Sequence, residues 1–108
     1  MSIPGLSEQD CAEVEQVLKN LPKIERVWVF GSRAKGNFKQ GSDVDLALEG
    51  VKLDFDTIRE ASFLLNEESL LPYQFDLVDK NNIESQELKE HIQRKAIVVY
   101  EREVDENL

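Results

Sequence analysis

Asp43 and Asp45, one residue apart in Gly41-Ser42-Asp43-Val44-Asp45-Leu46-Ala47-Leu48, are the pair of residues best placed to do chemistry. On an extended segment alternate residues share a face, so both carboxylates project to one side while Val44, Leu46 and Leu48 turn into a core. Their Cα atoms would stand about 6 to 7 Å apart at the usual strand rise, which lets the two side chains converge on divalent cations about 3.5 to 4 Å apart. Hard oxygen donors of this kind suit Mg²⁺, which takes carboxylates together with substrate phosphate oxygens. Upstream, the apolar run Val27-Trp28-Val29-Phe30 stops at Gly31-Ser32. Gly31 leaves room for a phosphate at the backbone, the amides that follow at a helix start donate to it, and Ser32 adds a hydroxyl. Arg33 and Lys35 put positive charge beside the bend, Arg33 with the planar fork that suits phosphate, and Ser42 joins them among the expected nucleotide contacts. An anion cradle and a cation pair are the two halves of a nucleoside-triphosphate site.

The elements that must hold these groups follow from spacing. Phe30 to Leu48 reads as strand, small-residue turn, short helical start, loop and second strand, with the first strand over about 25–30. Ahead of it, Ser7 caps a helix whose first turn carries Glu8 and Asp10, and Cys11, Val14, Val17, Leu18 and Leu21 fall at helical spacing until Asn20-Leu21-Pro22 ends the pattern. Cys11 lies on the apolar face and reads as a small buried hydrophobe. Asp54 or Asp56 caps a helix running to about Glu68, with Ile58, Ala61, Ser62 and Leu65 inward and Arg59, Glu60, Glu67 and Glu68 outward. A third strand over 74–79 follows this helical crossover, which favours a parallel neighbour to the second strand. Asp76 on it could then stand beside the aspartate pair, with Asp79 on the opposite face as the alternative. A helix over 84–95 points Leu88 and Ile92 inward, and His91 sits at its boundary. The apolar run 97–100 closes the sheet as a strand covered on both faces. Phe38, in a glycine-flanked loop, is open between folding back and meeting a ligand.

Gly31-Ser32, then ten residues, then Asp43-Val44-Asp45 resembles the signature of the polymerase-beta-type nucleotidyltransferase superfamily. The variant GSRAKG followed by GSDVDLAL is similar to the minimal nucleotidyltransferases of prokaryotes, which pair with HEPN-domain partners as toxin and antitoxin. Gln74-Phe75-Asp76-Leu77-Val78-Asp79 corresponds to the later aspartate-bearing strand, and the family pattern favours Asp76 over Asp79. The resemblance implies an α/β (α+β) fold with a small mixed sheet and flanking helices, and two Mg²⁺ ions on Asp43, Asp45 and Asp76. It further implies ATP as donor, with in-line displacement at its α-phosphate releasing pyrophosphate, and a tyrosine hydroxyl of a HEPN toxin as acceptor. Asp76 would take the hydroxyl proton.

Bulk properties narrow the partners. At 108 residues the expectation is one domain, with a loose acidic tail from about residue 102. Thirteen basic against 22 acidic side chains leave a net charge of −9, which argues against unaided nucleic-acid binding and for a basic protein partner. One cysteine, no apolar run of the roughly 18 residues a membrane span needs, and a start without a secretory apolar core point to the cytoplasm. Two other functions stay open: a transferase for a small polycation such as an aminoglycoside, and a subunit that neutralises its partner by contact alone.

Overall fold

A computed structural model describes residues 1–103. Helix α1, Glu8–Lys19, starts where the Ser7 hydroxyl accepts the Asp10 amide at 3.1 Å, with Glu8 and Asp10 at its positive end. Its stripe of Cys11, Val14 and Leu18 is buried, each such apolar side chain contributing about 1.5 to 3 kcal/mol when fully removed from water. Strand β1, Arg26–Phe30, runs directly into the one-turn helix α2, Gly31–Lys35, which ends at Gly36 in the left-handed conformation (φ 84°). Strand β2 is Val44–Glu49 and helix α3 Phe55–Phe63, the latter capped by the Asp54 carboxylate on the Thr57 amide and hydroxyl at 2.8 and 2.6 Å. Strand β3 is Phe75–Asp79, helix α4 Gln86–Lys95 and strand β4 Ile97–Glu101. None of the described helices is long and apolar enough to cross a membrane.

The four strands form one mixed sheet in the order β3-β2-β1-β4, with β2 and β3 parallel and the other pairs antiparallel. Strand alternation then sorts the side chains. Val27, Val29, Val44, Leu46, Leu48 and Phe75 pack with α1 and α3 on one face, and Phe30 and Ala47 pack with Trp28, Val78, Ile83 and the α4 residues Leu88 and Ile92 on the other. Helices therefore flank both faces, as the spacing predicts.

Four expectations need correction. The helix from Asp54 does not run evenly to Glu68: α-geometry stops at Phe63 and a π-helical turn spans Leu64–Glu68. The wider turn lets Asn66 grip β3, its amide nitrogen donating to the Phe75 carbonyl at 2.9 Å and its oxygen accepting the Phe75 amide at 2.8 Å. Helix α4 begins two residues later than expected, because Ser85 caps it through the Leu88 amide and Lys80–Asn82 form a 3₁₀ turn instead. Strand β4 is an outer strand, so Ile97 stays 47% exposed rather than covered on both faces. Finally, Arg102 is not loose. It donates to the carbonyls of Leu18, Lys19, Leu21 and Ile24, while residues 104–108 of the expected tail lie outside the described residues.

Candidate active site

Asp45 and Asp76 face each other in register on the parallel strands β2 and β3, two carboxylates on one face of the sheet. Asp43 stands just before β2, at the end of the loop from α2 rather than within the strand as expected. Asp43 and Asp76 are exposed and Asp45 is half-buried. Desolvation, then the charges of Asp76 and Asp43, push the Asp45 carboxyl up to about 6, with Arg33 opposing. The Asp76 carboxyl is also raised, first by desolvation and then by Asp43, and the contact between the Asp45 and Asp76 carboxyls favours placing a shared proton on Asp45. The three carboxyls thus form one concentration of negative potential that is costly to keep fully ionised alone.

Gly31 is built into this arrangement. Its φ of 71° is in the left-handed region, and a Cβ there would collide with Asp45 Oδ2. The space left by its missing side chain is therefore filled by the Asp45 carboxylate. The Gly31 amide is also engaged: it donates to His91 Nε2 of α4 at 2.9 Å. Ser32, the next residue, is half-buried at the start of α2, and Lys35 is exposed at its end.

Arg33 is placed differently from the expected phosphate contact. It is 2% exposed, and its guanidinium donates to the carbonyls of Pro4 (2.8 Å), Ser42 (2.7 Å) and Asp43 (3.3 Å). Phe38 and Tyr73 lie against the same guanidinium, their ring centroids 5.0 and 5.4 Å away, which answers the open question of Phe38 in favour of folding back. Arg33 is a brace under the loop that presents Asp43. Ser42 contributes to the same loop, its hydroxyl accepting the Lys39 amide at 2.8 Å.

Of the residues expected from sequence, the structure gathers Asp43, Asp45, Asp76, Gly31 and Ser32 around one sheet end and withdraws Arg33 into the interior. Sequence reasoning missed Asn66 altogether and gave His91 only a boundary position. A polar amide amid an inward apolar helix stripe was the available signal for Asn66; for His91 there was none beyond its being the chain's one histidine.

Among the described residues no group of three His, Cys, Asp or Glu side chains is arranged to hold a metal ion. What the structure does show is a set of hard carboxylate oxygens, two of whose pKa values are raised first by desolvation and then by mutual repulsion, donor chemistry that suits a Mg²⁺ ion accompanied by phosphate oxygens.

A family model described as polymerase beta, nucleotidyltransferase matches residues 12–105. The chain belongs to this nucleotidyltransferase family. The nucleotidyltransferase is 36% identical over 102 residues to a Haemophilus influenzae protein named "Probable protein adenylyltransferase MntA", covering 91% of this chain and 85% of that relative. Among solved structures, a crystal structure of a toxin-antitoxin with AMP-PNP superimposes with a TM-score of 0.68 at 23% identity, over 86% of this chain and 74% of that one. A mutant of the toxin-antitoxin MntA-HpeT does so with a TM-score of 0.64 at 26% identity, over 90% and 74%. The mixed sheet with flanking helices expected from the sequence is the nucleotidyltransferase fold that these structures share with this chain.

Proposed function

We propose that this nucleotidyltransferase moves AMP from ATP onto a tyrosine hydroxyl of a HEPN-type toxin partner in the cytoplasm and so acts as its antitoxin. The observation that carries the reading is the register of Asp45 against Asp76, with the Gly31 bend closed onto Asp45, in a chain of this family. The similarity to a protein named an adenylyltransferase supports AMP as the transferred group, and the toxin-antitoxin crystal structures support a protein acceptor. The net charge of −9 favours a basic partner.

In this reading Asp43, Asp45 and Asp76 hold Mg²⁺, which when bound supplies charge neutralisation at the phosphates and acidifies the attacking hydroxyl. Ser32 and Lys35 contact the triphosphate, with Ser42 and Arg33 supporting the Asp43 loop. The tyrosine oxygen attacks the α-phosphorus, the α–β phosphoanhydride bond breaks and pyrophosphate leaves. The hydroxyl proton passes to Asp76, the carboxylate that stands exposed on the outer strand β3.

Co-expression with the partner tests this by intact mass. The partner should gain one or more AMP increments when ATP and Mg²⁺ are supplied, and the Asp43→Asn, Asp45→Asn double variant should leave its mass unchanged. An unmodified partner that is nonetheless neutralised would defeat the transferase reading.

A further inference from the structure

The short helix α2 has no cap of its own: Phe30, which precedes it, offers no side-chain acceptor to the first amides. That acceptor arrives from 60 residues away, as His91 Nε2 on the Gly31 amide. His91 is half-buried, and its ring meets the edge of Phe30 with centroids 6.1 Å apart. Its neighbour Ile92 is buried in the apolar cluster that docks α4 against the sheet, so the imidazole is delivered from a fixed base. At the same residue, the Asp45 carboxylate occupies the space a Cβ would need. Gly31 is therefore constrained twice, its amide bonded to His91 and the space of its missing side chain occupied by Asp45.

An imidazole nitrogen that accepts a hydrogen bond carries no proton, so His91 is neutral with its proton on Nδ1. Its surroundings agree. Desolvation comes first, and then Lys35 of α2 with Arg94 and Lys95 of α4 hold its pKa below the usual histidine range.

We propose that His91 is a positioning residue of the nucleotide site: by holding the Gly31 amide, it fixes the bend that seats Asp45 and begins the stretch from Ser32 to Lys35. The role rests on the nucleotidyltransferase reading above. It makes the docking of α4 a condition for an ordered site, although α4 carries none of the carboxylates.

Three substitutions separate the hydrogen bond from packing. His91→Ala removes both, His91→Leu keeps apolar bulk against Phe30 without an acceptor, and His91→Gln keeps an acceptor at similar reach. Loss of one such bond corresponds to about three- to tenfold. The kcat/KM for ATP, measured by AMP transfer to the co-expressed partner, should fall by about that factor in the Ala and Leu variants. It should return to within about twofold of wild type in the Gln variant. Rescue by Leu, or equal values for all three variants, would overturn the proposal. Because the chain has a single histidine, a long-range ¹H–¹⁵N spectrum of the free wild-type protein reports this imidazole alone. A protonated Nδ1 and bare Nε2 are expected, and the opposite tautomer would also overturn it. Failure of the wild type to transfer AMP at all would instead strike the enzymatic reading, whatever the tautomer.

Discussion

Asp45 has its carboxyl raised from 3.8 to about 6, so the folded chain binds its proton more tightly than the unfolded chain does. The sign follows. This group's stabilising contribution is complete below about pH 3.8 and is lost as pH rises through about 6. Replacing it with a neutral isostere removes the loss. At pH 7.5 and without divalent cations, Asp45→Asn should melt higher than wild type by about 4 °C, equivalent to roughly 1 kcal/mol once solvent screening of a half-exposed site is allowed for. The difference should vanish by pH 4, and added Mg²⁺ should close it from the wild-type side at pH 7.5. Thermal melts across pH check this; a variant less stable than wild type at pH 7.5 would contradict the crowding of the three aspartates. That Gly31, Ser32, Asp43 and Asp45 come together was legible because they lie within one short stretch between two neighbouring strands. Arg33 was misread for the complementary reason. Its partners include the Pro4 carbonyl, 29 residues away, and no local pattern distinguishes a buried fork on carbonyls from an exposed fork on phosphate.

At the scale of elements, the strands and helices were legible from period and caps, down to Ser7, the choice between Asp54 and Asp56 that the structure decides for Asp54, and the parallel pairing of β2 with β3. The π turn at Leu64–Glu68 was not, since its sequence continues a helical stripe and only the grip of Asn66 on Phe75 shows why the turn widens. That grip sits one residue before Asp76, so the α3 connection helps set the carboxylate's depth. Arg33 plays the corresponding part for Asp43. A lysine ammonium gathers its donors on one nitrogen and lacks the planar fork that reaches the three carbonyls from separate nitrogens, so Arg33→Lys should cost about 2 to 3 kcal/mol in urea unfolding and lower AMP transfer as the Asp43 loop loosens. A lysine variant with wild-type stability would remove Arg33 from this supporting role.

Across the whole molecule, Arg102 ties the end of β4 to the last turn of α1 and the segment after it, through carbonyls 78 to 84 residues distant. The Leu18 and Lys19 carbonyls belong to the last turn of α1, where a cation opposes the helix dipole favourably, and those of Leu21 and Ile24 belong to the segment that follows it. Arg102→Ala should therefore lower stability by about 2 kcal/mol, with amides of the last α1 turn and of β1 and β4 losing hydrogen-exchange protection together. Protection lost only near residue 102 would show the tie to be local. The sequence reading put this arginine in a loose tail, because nothing nearby in the chain reveals acceptors contributed by α1.

Strand β3 lies at the rim of the sheet, and that location divides the approaches to the three aspartates. Asp45 sits one strand inward, half-buried beside the closed bend, while Asp76 stands exposed on the outermost strand. In the proposed transfer the triphosphate would therefore meet the inner carboxylate and the acceptor side chain the outer one, so that the two could enter from different directions without the sheet having to part.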